Sequence, residues 1–168
     1  IEIASYYDEL IGLDLKGLLR ILEKSDTPER IRLSSIDPLY IDPELIRIIS
    51  SSKKLARSLH IPLQSGCDTI LRAMGRKYEA EYVRYVIEEL RAKMGDIGIG
   101  LDVIVGFPGE KESEFLETLK FIESLDVYYL HIFPFSPRQG TAASKMEEAV
   151  EDGEKKRRVK MLREIERK

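Results

Sequence analysis

Five short apolar runs alternate with longer runs of helical period, and this alternation limits the possible folds more than any other property of the chain. The strand-like runs are Ile1–Ser5, Arg30–Ser35, Leu59–Leu63, Ile97–Val105 and Val127–Phe135. Between them, Asp14–Lys24 places Leu15, Leu18, Leu19 and Leu22 on one helical face. Asp42-Pro43 reads as a capped helix start. Asp68–Gly75, Ala80–Lys93 and Ser113–Leu125 complete the internal helices. Such an order predicts a parallel sheet joined by right-handed crossovers. The runs are apolar throughout, which predicts cover on both sheet faces. Five strands cannot close an eight-stranded barrel. The fold class expected is therefore α/β, as an open curved sheet or partial barrel, with a flavodoxin-like doubly wound sheet as the alternative. At 168 residues, 43% hydrophobic, the chain can build one domain with a real core.

The formal charge of −3 is spread over both signs and gives no general reason to expect nucleic-acid binding. Residues 153–168 differ. They carry eight basic and three acidic side chains and read as a basic helical tail, set apart from a core spanning 1–152. Cys67 is the one cysteine, which rules out an internal disulfide and fits a reducing, cytoplasmic setting. No apolar run reaches membrane-span length. A chain that opens inside a strand-like run is expected to be a piece of a larger protein. Asparagine is absent and charged residues reach 34%, a composition suited to high temperature.

Parallel α/β folds bind ligands at the carboxyl ends of their strands. Those ends here carry Ser34-Ser35-Ile36-Asp37-Pro38, Gln64-Ser65-Gly66-Cys67-Asp68, Gly106-Phe107-Pro108-Gly109-Glu110 and Pro134-Phe135-Ser136-Pro137-Arg138. They form a polar rim on an apolar sheet, as a binding cleft requires. No phosphate loop, H-E-x-x-H or G-x-S-x-G segment is present. With only His60 and His131, both inside strand-like runs, the residues read as core histidines rather than a zinc site.

Four segments resemble the radical-SAM methylthiotransferase family: RIRLSSIDP (Arg30–Pro38), LHIPLQSGCDTILRAMGRKY (Leu59–Tyr78), DVIVGFPGE (Asp102–Glu110) and HIFPFSPRQGTAA (His131–Ala143). All four in order, at this spacing, are specific. The resemblance implies a (βα)6 TIM-like partial barrel whose first βα unit is missing here, with S-adenosylmethionine across the strand ends. It also implies two 4Fe-4S clusters in the full-length enzyme, tRNA as partner, and an RNA-binding barrel after the basic tail. That barrel is missing here, so the tail is expected to pack poorly. The branch most resembled acts on N6-threonylcarbamoyladenosine beside the anticodon. The isopentenyladenosine and ribosomal-protein branches are the alternatives.

The family's C-x-x-x-C-x-x-C loop is absent, and Cys67 alone cannot supply three thiolates. This chain is therefore expected to ligate no cluster and to be inactive, as a monomer. The resemblance implies roles for Gln64 and Ser65 near the ribose or methionine of the cofactor, with Ser35 and Asp37 similar. Asp102 is a carboxylate in an apolar strand and needs a cofactor or Arg partner. Phe133 is expected at the adenine, and Arg76 at a cofactor carboxylate or an RNA phosphate. Arg138 is the candidate for reading substrate, while Gly106 and Gly109 permit close backbone approach or a tight turn. A radical-SAM enzyme of other chemistry and a non-catalytic α/β binding module are the rival readings.

Overall fold

The computed structural model describes residues 3–166; Ile1, Glu2, Arg167 and Lys168 lie outside the described residues. A short antiparallel hairpin of β1 (Tyr7–Asp8) and β2 (Leu13–Asp14) precedes α1 (Leu15–Lys24). The Asp14 carboxylate accepts the Gly17 N–H at 2.7 Å and starts that helix. In α2 (Pro43–Ser51) Asp42 does the same for Leu45 at 2.8 Å, with Pro43 in the first turn. Leu15 and Leu19 of α1 and Leu45, Ile46 and Ile49 of α2 turn into the core. Lys16 bridges the two helices on the outside, 2.5 Å from Asp42 and 3.0 Å from Glu44. Such half-exposed pairs add little stability, so the apolar seam beneath them sets the contact.

The central sheet is wholly parallel, in the order β3 (Ser58–Gln64), β4 (Gly98–Val105), β5 (Tyr129–Pro134). Helices α3 (Asp68–Ala73) and α4 (Ala80–Met94) cross from β3 to β4, and α5 (Glu112–Glu123) crosses from β4 to β5. Alternation along β4 separates two faces. Ile99, Leu101, Val103 and Val105 are buried in one cluster with Val83, Val86, Ile87 and Leu90 of α4 and Phe115 and Ile122 of α5. Gly100, Asp102 and Ile104 point the other way, beside Tyr129, His131 and Phe133 of β5. That second face is half-open, with Phe133 50% exposed. The expectation of cover on both faces is therefore corrected. The helices sit outside, and the open face is the inner wall of an incomplete barrel.

Two of the five expected strands are absent among the described residues. Ile3–Ser5 is a single 3-10 turn. Residues 30–36 form no strand among the described residues: Ile31 bonds to Lys54 and Ala56 in a single parallel bridge ahead of β3, and Ile36 bonds to His60 within it. Leu33 and Ile36 are buried all the same. Burial in the core and a continuous ladder give a segment the same apolar signature, and here only the first is present.

The basic tail forms α6 (Asp152–Glu166). It packs on β5 and β4, with Leu162 fully buried and Arg158 3% exposed. Loose packing of this segment was the expectation and is not what the chain does. Positions 158, 162 and 165 fall on one helical stripe, and charge counting along the sequence hides it.

Candidate functional site

At the carboxyl end of the sheet a cleft of about 700 Å³ is lined by Gln64, Arg76, Asp102, Ile104, Phe133 and Arg138, with the 134–143 loop closing one side. Five residues singled out in the sequence thus come together from β3, β4, β5 and the loops after them. Larger surface hollows exist elsewhere, such as one around Arg57, Gly98 and Tyr128 at the opposite strand ends. The cleft is the stronger candidate, because its polar groups converge where strands end.

Gln64 reaches the cleft through a local irregularity. Ile61 pairs with Leu101 but Gln64 pairs with Val103, so β3 holds one residue more than β4 over this stretch. Pro62, which has no N–H for a ladder, sits inside that bulge. Gln64 itself has φ 68, the one non-glycine with positive φ among the described residues. A β-region value would carry its side chain elsewhere. Strained backbone at a cleft wall is a recurrent mark of a functional position.

Ser65 does not reach the cleft. It is fully buried, its Oγ is 3.0 Å from Thr118 Oγ1, and it accepts the Cys67 N–H at 3.1 Å. It holds the turn leading into α3. Ser35 is half-buried and is not part of the cleft wall. Asp37 caps the 3-10 turn at Pro38–Tyr40 by accepting the Leu39 N–H at 3.1 Å. Its other oxygen lies 3.7 Å from Arg76 Nη1, so Arg76 faces the cleft already paired. Arg138 is exposed and makes no ion pair among the described residues.

Asp102 needed a partner, and the structure supplies two histidines in place of an arginine. Its Oδ1 lies 2.7 Å from His60 Nε2 and 3.3 Å from His131 Nδ1. Reading the histidines as core residues missed this. A signal was present in the sequence: three polar side chains interrupt three consecutive apolar strands at positions of matching parity.

Gly106 and Gly109 have φ of 74 and 83, and so make the expected turn. The Glu110 carboxylate accepts the Gly106 N–H at 2.6 Å and meets Arg158 Nη1 at 2.6 Å. Burial pushes this carboxyl up, against the pull of both partners. The glycine turn is thereby fastened to α6, a link the sequence did not disclose.

Cys67 is 2% exposed, and burial pushes its thiol up. A cluster ligand must be a thiolate, and three are needed, so this residue does not fit an iron–sulfur cluster. The cleft, with an apolar wall, an amide and charges of both signs, does fit a zwitterionic nucleoside such as S-adenosylmethionine.

Comparison with known proteins identifies the family of the chain. The family described as the radical SAM superfamily matches residues 5–122. The chain is 40% identical over 158 residues to the threonylcarbamoyladenosine tRNA methylthiotransferase of Thermotoga maritima, covering 94% of this chain and 36% of that protein. The enzyme of the same description from Bacillus subtilis is 41% identical over 157 residues, at 90% and 35% coverage. A tRNA-2-methylthio-N(6)-dimethylallyladenosine synthase from Carboxydothermus hydrogenoformans is 36% identical over 161 residues, at 92% and 37%. The chain therefore spans little more than a third of the length of these relatives. An N-terminally deleted Elp3 from the archaeon Methanocaldococcus infernus superposes with a TM-score of 0.53 at 16% identity, covering 86% of this chain and 33% of that one. At that identity the likeness is one of fold.

Proposed function

Since this chain belongs to the radical SAM superfamily, we propose that it is the middle of the catalytic core of a tRNA methylthiotransferase. The observation that carries the reading is the convergence of Gln64, Arg76, Asp102, Phe133 and Arg138 on one cleft at the strand ends. In this reading the cleft holds S-adenosylmethionine, which supplies the radical and methyl chemistry of the family. Phe133 gives an apolar wall for the adenine, Gln64 a hydrogen-bonding amide, and Arg76 a cation for the methionine carboxylate. Ser35 and Ser65 are left out of the set. The clusters of the whole enzyme take their ligands from residues other than Cys67, and the chain by itself is inactive. The division into a core over 1–152 and a tail over 153–168 that leads toward an RNA-binding barrel is kept as part of this proposal. So are a monomeric state and a cytoplasmic setting. No helix among the described residues is long and apolar enough to cross a membrane.

The acceptor we infer is the tRNA adenosine that already carries a threonylcarbamoyl group. Relatives of both names occur, so similarity does not choose between them. The chemistry of the rim favours the first. A threonylcarbamoyl group has a carboxylate that a dimethylallyl group lacks, and Arg138 offers an uncommitted guanidinium at the cleft edge. A bidentate pair of this kind supplies on the order of 1.5–3 kcal/mol, enough for tenfold discrimination or more. Gene deletion followed by mass spectrometry of tRNA nucleosides tests this. Loss of the methylthio-threonylcarbamoyl nucleoside alone is the expected result. Loss of the methylthio-dimethylallyl nucleoside alone would move the enzyme to the other acceptor. Complementation with Arg138→Ala should restore cofactor cleavage but little modification.

A further inference from the structure

The open face of the sheet holds a second constellation. His60 lies on β3, Asp102 on β4 and His131 on β5, so three neighbouring strands contribute one side chain each. Asp102 and His131 are register partners, and His60 lies opposite Gly100, one pleat away. One nitrogen from each imidazole and one carboxylate oxygen lie within 4.8 Å of one another. Both nitrogens approach the same oxygen, Oδ1 of Asp102, at 2.7 and 3.3 Å.

His60 is held for this arrangement by its other nitrogen. Nδ1 lies 2.9 Å from the Tyr129 hydroxyl. The Tyr129 ring in turn lies over Gly100, where an added Cβ would come 2.1 Å from Cζ of that ring, so only glycine admits the tyrosine. When Nδ1–H donates to Tyr129, the lone pair of Nε2 faces Asp102. Nε2 is shielded from solvent and makes no hydrogen bond among the described residues, although Oδ1 is so close. A lone pair opposed to a carboxylate oxygen at that distance is repulsive unless a positive charge lies between them. The ring is not aligned to direct an Nε2 proton along that contact. A metal ion satisfies all three atoms at once, with bonds of about 2.0–2.2 Å that need only small rotations of the side chains.

We propose that His60, Asp102 and His131 bind one divalent transition-metal ion of the zinc(II), cobalt(II) or iron(II) kind. Two imidazoles and one carboxylate suit such ions, whereas magnesium and calcium prefer oxygen alone. Tyr129 is the outer partner that fixes the His60 tautomer, as is usual for a metal-bound histidine. His131 is 55% exposed on the open face, so the remaining coordination positions meet solvent. Three protein ligands with open positions distinguish a ligand-accepting site from a closed structural one. Asp102 also lines the cleft, so the ion would lie beside it.

This inference does not depend on the cofactor reading, and the metal titration needs neither cofactor nor tRNA. The 168-residue chain, free of any affinity tag and stripped with EDTA, is titrated with zinc chloride and with cobalt chloride. One ion per chain is expected by calorimetry, with visible d–d bands for cobalt. His60→Ala and Asp102→Asn should each weaken binding tenfold or more, while Glu147→Gln should leave it unchanged. Circular dichroism establishes that each variant is folded. The chain has only two histidines, so ring-nitrogen NMR of the unaltered protein gives a readout that needs no substitution. Zinc should shift His60 and His131 together, saturating at one equivalent. Absence of saturable binding, a shift of one ring alone, or binding indifferent to His60→Ala overturns the proposal. S-adenosylmethionine binding measured on the same chain separates this outcome from a failure of the cofactor reading.

Discussion

Arg158 of α6 places Nη1 2.6 Å from Oε2 of Glu110 and 3.0 Å from the Glu110 carbonyl oxygen, in a pocket where neither side chain is more than 4% exposed. The same guanidinium lies over the Phe115 ring at 5.1 Å and is paired with Glu154 at 2.8 Å. A buried pair of this kind gives little net stability over an apolar pair, but breaking it strands a charge. Arg158→Ala should therefore lower unfolding stability by about 3–5 kcal/mol in urea denaturation. The double change Glu110→Leu, Arg158→Met should recover most of that loss. A single-variant loss below about 1 kcal/mol would mean that water reaches Glu110 when Arg158 is removed.

Acid should loosen the same helix. Hydrogen bonds from Arg157 and Arg158 hold the Glu154 carboxyl at about 2, below its ordinary 4.5. A depressed carboxyl contributes stability that is fully present above pH 4.5 and is lost as pH falls toward 2. Glu154 is 30% exposed, so solvent screening leaves about 1 kcal/mol from it. Between pH 4.5 and 2.5 the Glu154→Gln chain should lose about that much less stability than the unaltered chain. Superimposable acid titrations of the two, followed by helical circular dichroism, would show that these pairs are fully screened.

The backbone at Gln64 makes a separate test. A side chain in the left-handed region costs about 1–2 kcal/mol, and a branched one more. Gln64→Gly should be nearly neutral in thermal melts, relief of strain offsetting the added freedom of the unfolded chain. Gln64→Val should cost at least about 1 kcal/mol. Both variants should bind S-adenosylmethionine more weakly than the parent if the amide reads the cofactor. Retained affinity in Gln64→Gly would reduce this residue to a shaper of the turn.

Cys67 should be inert while the chain is folded. Its thiol is buried and pushed up, and only a thiolate attacks alkylating reagents. Iodoacetamide at pH 8 should label it at the rate of global unfolding and quickly in urea. Fast labelling of the native chain would show that the turn before α3 opens locally.

Helices were the most legible part of the fold. Asp42 announced a start, and the apolar period gave the buried face of α1. Strands β3, β4 and β5 were legible because each is long, apolar and followed by turn residues. Residues 30–35 misled for a physical reason: burial of Leu33 and Ile36 produces the pattern of a strand without its ladder. In the cleft, Gln64 and Arg138 were legible from their place after strands and Asp102 as a carboxylate in an apolar strand, whereas Arg76 and Phe133 came from the family resemblance. Ser65 was misplaced, since a hydroxyl serves a buried turn as readily as a ligand. The partnerships of Asp102 with His60 and of Glu110 with Arg158 depend on how separate elements meet, 42 and 48 residues apart in the chain.

The extra residue in β3 has a bearing on which changes the chain can tolerate. Side chains on a strand switch sides with every step, so length within β3 works as a parity rule. Substitutions at Pro62 leave that parity alone. Removal of one residue there would send Gln64 and the turn behind it to the opposite side of the sheet, away from Asp102 and Phe133, while the apolar content of the strand hardly changed. Length between His60 and Gln64 is in this sense as much a part of the cleft as the residues that line it.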